Sequence, residues 1–241
     1  MIDTNIAWRT ALLATTVLAG SAGAAQAQTT WNGGSGGWST NANWSNNAPD
    51  SSTEAIINGG TATLSKAGSA EYLSGTGGTI GLSGNTLTLS GAPSGATDST
   101  YSGKITGSAT GSLLVYGSSP GSAPFTAQTL SGVISGAGLA LTVDGGALTL
   151  NAADTYLGAT TINGGTLALG NKGAIASSSG LADNGAFDIS GTKSGASITT
   201  LSGSGGVTLG AQTLTLSNAG DTFSGVISGG VKSGLTLPAG S

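Results

Sequence analysis

Residues able to do chemistry are sparse in this chain, and their types already restrict what it can do. Two G-x-S-x-G strings, Gly33-Gly34-Ser35-Gly36-Gly37 and Gly117-Ser118-Ser119-Pro120-Gly121, have the spacing of a serine nucleophile on a tight turn. Such a serine needs a base, and the 241 residues contain neither histidine nor cysteine. The imidazole base, the Cys–His pair and the usual N/S zinc site are therefore all excluded. Both strings read as turns in a chain where glycine makes up 45 residues. The stretch from Gly165 to Lys172 has the outline of a phosphate-binding loop. However, Asn171 separates Gly170 from Lys172 and no helical pattern follows, so it too reads as a turn.

The carboxylates carry the remaining options. Asp183 and Asp188 near Lys193 have the residue types of a polysaccharide hydrolase or lyase site, although the spacing is loose. Asp98, Asp154 and Asp221 recur before turns, where an aspartate accepts a hydrogen bond from its own backbone two residues on. Asp144-Gly145-Gly146 is a tight-turn signal. Asn43-Trp44-Ser45 fits a glycosylation sequon. Six basic residues against ten acidic ones give a net charge of −4, which argues against a nucleic-acid partner. No metal or cofactor is expected.

The elements that position these residues read as short strands. Charged residues are only 7% of the chain, where about 25% is usual, yet Leu, Ile and Val recur throughout. Disorder couples low hydrophobicity to high charge, so this is not a disordered composition. Apolar residues alternate with Thr or Ala, as in Leu139-Ala140-Leu141-Thr142-Val143, which puts the aliphatic set on one face of a strand. Turn signals arrive every eight to twelve residues.

Residues 1–27 read as a secretory signal peptide. Arg9 precedes a short apolar run at 11–19, well below the ~20 residues of a transmembrane helix. Ala25-Gln26-Ala27 then supplies an A-x-A site, with cleavage expected before Gln28. Residues 28–60 hold Trp31, Trp38 and Trp44 among glycine and asparagine. They read as the cap of a repeat array, with exposed indoles for sugar stacking as the rival reading.

Residues 61–241 read as the repeat region. Three blocks share one order: an L-x-L strand, an Asp, an aromatic, a Gly and an apolar strand. They are marked by Thr86-Leu87-Thr88-Leu89 with Tyr101, Ala147-Leu148-Thr149-Leu150 with Tyr156, and Thr213-Leu214-Thr215-Leu216 with Phe223. The recurrence of Tyr101, Tyr156 and Phe223 predicts an aromatic stack, and Phe223 implies that the hydroxyl is dispensable. Such repeats favour an all-β fold, a right-handed parallel β-helix with coils of about 20–25 residues.

The stretch 148–170 resembles the passenger-associated transport repeat of bacterial autotransporters. The likeness rests on Leu148, Leu150, Asp154, Tyr156, Gly158, Ile162, Gly164, Gly165, Leu167 and Leu169. It implies a type V secretion passenger: a non-enzymatic β-helical stalk at the cell surface or outer membrane, supporting export and presentation of an adhesin. The implied partners are an outer-membrane β-barrel translocator, which this sequence does not contain, the secretion machinery, and a host or environmental glycan or protein. A β-helical depolymerase and a repetitive surface-matrix protein are the alternatives.

Overall fold

A computed structural model describes residues 27–91, 98–117 and 127–239. The described residues form 26 short strands and one 3-10 turn at Asn41–Asn43. Among them no helix is long and apolar enough to cross a membrane. The fold is all-β, and every strand ladder is parallel. Successive strands enter different sheets, and a strand pairs with the one two or three places further along the chain. Each such passage is one circuit. Gly, Asn and Ser turns make it possible, because each strand ends after two to five residues.

Partners one circuit apart are separated by 18 residues at Asn58 and Thr76, by 20 at Ile134 and Asp154, and by 29 at Asp98 and Ala127. This spread is wider than the uniform 20–25 residues expected.

Alternation decides what lies inside. Leu148 lies opposite Leu167, which lies opposite Phe187, then Val207, and all four are buried. Leu87, Leu114 and Leu141 form a second buried column, and Ile80, Ile105 and Ile134 a third. The intervening residues form half-exposed outward columns, such as Thr129, Thr149 and Ala168. Trp31, Trp38 and Trp44 join the same apolar core.

The three sequence blocks are not structural equivalents. Thr86–Leu89 lies in the seven-stranded sheet that begins at Gly68–Ala70, and Ala147–Leu150 in the other seven-stranded sheet. Thr213–Leu216 lies in a three-stranded sheet with Ala196–Ile198 and Gly234–Thr236. The aromatic stack is corrected accordingly. Tyr101 lies opposite Gly75, Tyr156 opposite Gly136 and Phe223 opposite Gly203. Each ring thus follows a glycine of the previous circuit, not another ring.

These glycines are required by their backbone. Gly136 has φ 142° and Gly203 φ 104°, and a Cβ on Gly203 would fall 2.1 Å from the Asp183 carbonyl oxygen. Gly158 and Gly164 are a different case. Neither has a positive φ, but a Cβ on Gly158 would lie 2.2 Å from the Leu139 oxygen, so space is what demands glycine there. Gly165, at φ 68°, does need its angle.

One ladder is completed by a side chain. Between Leu73–Ser74 and Ser99–Tyr101, the buried Gln128 carboxamide accepts from Leu73 N at 2.9 Å. It donates back to Leu73 O at 3.1 Å. The amide thereby does the work of a peptide group from the next circuit.

The interior assignment is testable by charge. Leu167→Asp should cost on the order of 3 kcal/mol or more, by losing burial and enclosing a carboxylate. Thr149→Asp, on the outward column, should cost about 1 kcal/mol or less. Denaturant melts of the two variants measure the difference, and equal losses would contradict the inward column.

Candidate functional site

The signature residues fall into two groups. Leu148, Leu150, Ile162, Leu167 and Leu169 are at most 1% exposed and form core columns. Asp154, Tyr156 and Gly158 lie at the level where Thr155–Tyr156 closes the six-stranded sheet, while Gly164 and Gly165 make a turn.

Around Tyr156 the interior is polar. Its hydroxyl is 2.7 Å from Thr160 Oγ1, which is 2.9 Å from Ser178 Oγ. Ser178 donates to the Gly158 oxygen at 2.9 Å or the Gly180 oxygen at 3.1 Å. A carbonyl can only accept, so the chain has one direction: Tyr156 donates to Thr160, Thr160 to Ser178, and Ser178 to the backbone. Burial pushes the Tyr156 phenol up, which keeps it a donor. The hydroxyl is therefore engaged at this copy, contrary to the inference from Phe223.

Asp154 sits beside this chain and is 4% exposed. Its Oδ1 accepts from Ile134 N at 2.8 Å, and its Oδ2 is buried without a hydrogen-bond partner. Burial raises its carboxyl from 3.8 to about 7, partly offset by the Ile134 bond. Asp98 likewise accepts from Ala127 N, in the next circuit, at 3.1 Å. These bonds cross circuits, which corrects the expectation of local turn bonds. Asp221 is exposed near the last circuit.

Asp183 and Asp188 do not converge. Asp183 is fully buried, with Oδ1 accepting from Gly185 N at 3.0 Å, and burial raises its carboxyl. Asp188 faces outward between Ala168 and Thr208, and accepts from Ser190 N at 2.8 Å. Lys193 is exposed. The two carboxylates sit on different sheets, one inside the stack and one facing out, and cannot flank one glycosidic bond.

The other motifs are also absorbed by structure. Ser35 is exposed on Ser35–Gly37 beside Thr61, whereas residues 118–121 of the second serine string lie outside the described residues. Asn43 of the sequon donates to the Gly37 oxygen at 2.9 Å. Lys172 lies in a turn with Asn171, its backbone N donating to Asn151 Oδ1 at 3.4 Å. The indoles of Trp31 and Trp38 meet Trp44 edge-on, at 5.0 and 5.1 Å between centroids. Trp44 Nε1 donates to the Trp38 oxygen at 2.7 Å. Being buried, these rings offer no open face to a sugar. Ala27 and Gln28 open the first strand, Ala27–Thr30, while Ala25 and the rest of residues 1–26 lie outside the described residues.

Sequence reasoning did not single out the cluster at Glu54. Its carboxylate accepts from Gln28 Nε2 at 2.5 Å, from Tyr72 OH at 3.4 Å and from Ser74 Oγ. Burial and the charges of Glu54 and Glu71 push the Tyr72 phenol up to about 12. Gln28 and Glu54 are direct partners in a parallel ladder. Only knowledge of that register could have joined residues 26 apart.

At the last circuit, Leu201, Leu216, Phe223, Ile227, Leu235 and Leu237 line an apolar hollow of about 250 Å³. Val226, Val231, Leu235 and Leu237 are exposed there. Among the described residues, no group of three His, Cys, Asp or Glu is placed to hold a metal. No protein-family model, curated protein or solved structure matches the chain.

The hydroxyl chain yields a direct test. Tyr156→Phe removes its first donor and should cost about 1 kcal/mol. Tyr156→Ala should cost about 3–5 kcal/mol through the cavity it leaves. Denaturant melts check both, and an unchanged Tyr156→Phe midpoint would show that the hydroxyl contributes nothing.

Proposed function

We propose that the chain is the passenger segment of an exported bacterial autotransporter, a right-handed parallel β-helix that acts as a stalk rather than a catalyst. One observation carries the reading. The segment 148–170, on which the family resemblance rests, makes one full circuit, with Leu148 against Leu167 and Leu150 against Leu169. A transport repeat that spans one structural circuit, 19 residues from Leu148 to Leu167, and then repeats its opening L-x-L strand is what a passenger folding one circuit at a time requires.

The outward columns suit that role. Their Thr, Ser and Ala side chains are neutral and small, so neighbouring circuits stack without charge repulsion. Residues 28–60 act as the cap of the first circuit, the three buried indoles covering apolar surface. The stalk supports export and presentation of an adhesin-like surface protein. Its partners are the outer-membrane β-barrel translocator, the secretion machinery, and a glycan or protein of the host or environment.

Residues 1–27 are the export signal in this reading. Expressed with its own N-terminus in a Gram-negative host, the protein should leave the cytoplasm with Gln28 as its first residue, as read by N-terminal sequencing. A cytoplasmic product that keeps Met1 would contradict the export reading.

A further inference from the structure

The polar interior at Asp154 coincides with a break in one face of the stack. The six-stranded sheet runs from Ser35–Gly37 through Ile134–Gly136 to Thr155–Tyr156 and stops. Pairing resumes only at Ala196–Ile198, in the three-stranded sheet. Between the two, the described residues are joined by the isolated bridge of Ala153 and Ala174. Its bonds are Asp154 N to Ala174 O at 2.9 Å and Ala174 N to Ala152 O at 3.0 Å. A shallow groove of about 430 Å³, lined by Ala174, Ala176, Ala196 and Thr213, lies beyond this bridge. The other two faces continue unbroken past this level, through Thr160 opposite Leu181 and Leu167 opposite Phe187.

Inside the same level, the carboxyl of Asp154 holds Ile134 N from the circuit before, and its second oxygen has no hydrogen-bond partner. The Tyr156–Thr160–Ser178 hydroxyls continue the polar layer toward the circuit after. Apolar packing, the main adhesive between circuits elsewhere, is thus diluted where one ladder is missing.

We propose that the level from Asp154 to Ser178 is a proton-gated seam, at which the circuits before and after it part along the broken face once Asp154 loses its proton. The carboxyl has little to compensate its charge. Burial and the Ile134 N–H, not a charged neighbour, set its proton affinity, and Tyr156, two residues on and interacting with it, is neutral. Residues 133–136 and 173–176, packed on either side, bring only neutral side chains, and Lys172 is exposed. Burial lifts the Asp154 carboxyl from 3.8 to about 7.

The sign follows from the proton count. The closed seam holds the proton up to about pH 7, whereas an opened, solvated Asp154 ionises above about pH 4. Opening therefore releases one proton between these limits, and its equilibrium constant should rise about tenfold per pH unit there and level off above pH 7.

Amide hydrogen exchange, corrected for intrinsic rates, reads this constant in the full chain. The Ala174 amide should open more readily than the Leu114 amide, which lies in an unbroken ladder, and should show the tenfold-per-unit rise. Asp154→Asn keeps an oxygen for Ile134 N and should make the Ala174 profile flat, whereas Asp183→Asn should leave its slope in place. Should Asp154→Asn fail to fold, the wild-type comparison of Ala174 with Leu114 and the Asp183→Asn profile still decide. A flat wild-type profile, equal opening at Ala174 and Leu114, or a slope that survives Asp154→Asn or disappears in Asp183→Asn would each overturn the seam.

Discussion

Everything in this structure answers to one constraint: each side chain sits about 4.8 Å from its counterpart one circuit away. Two like charges at that distance repel by about 1 kcal/mol even in water, and by more where the sheet excludes it. A charge can therefore occupy an outward column only between neutral neighbours. Asp188 lies between Ala168 and Thr208, Lys104 beside Thr79, and Glu54 beside Gln28. Applied along the whole chain, this rule leaves few sites for charge, and only 7% of the residues carry one. The same constraint works inward as an advantage. A leucine beneath a leucine repeats one packing solution at every level, so the aliphatic columns form a single continuous core.

The constraint also shows where the stack departs from its own rule. Gln128 replaces a missing peptide partner, Asp154 reaches back to Ile134, and Tyr156 begins a directed row of hydroxyls. A buried polar group is tolerated when its bonds are supplied: Gln128 reaches Leu73 two circuits back, Asp154 reaches Ile134 in the preceding circuit, and Tyr156 donates to Thr160 four residues on. Such groups fix which level pairs with which. Apolar columns alone would not, because one leucine level resembles the next. Asp154 and Asp183 each keep one carboxyl oxygen outside this network, and burial raises both carboxyls.

Much of this was legible in the residues. The alternation in Leu139-Ala140-Leu141-Thr142-Val143 marks its inward set correctly, as does Leu148 against Thr149. The face that each phrase occupies was not legible. Circuits range from 18 to 29 residues in length, so identical phrases drift from one sheet to another. Thr86–Leu89 and Thr213–Leu216 read alike yet lie in different sheets, which is why Tyr101, Tyr156 and Phe223 resemble a column without forming one. For the same reason Glu54 could not be joined to Gln28. Short-range spacing carries local turns and strands, whereas contacts between circuits depend on lengths accumulated through the corners.

Distance measurements between spin labels on one outward column test the regular parallel stacking most directly. Thr208 lies four levels from Thr129 and five from Thr100 in the continuous register of one sheet. Labels at Thr129 and Thr208 should be about 19 Å apart and those at Thr100 and Thr208 about 24 Å, one step of about 4.8 Å per circuit. Separations that do not increase by one such step per circuit would contradict the stacking, and with it the account of how this sequence folds.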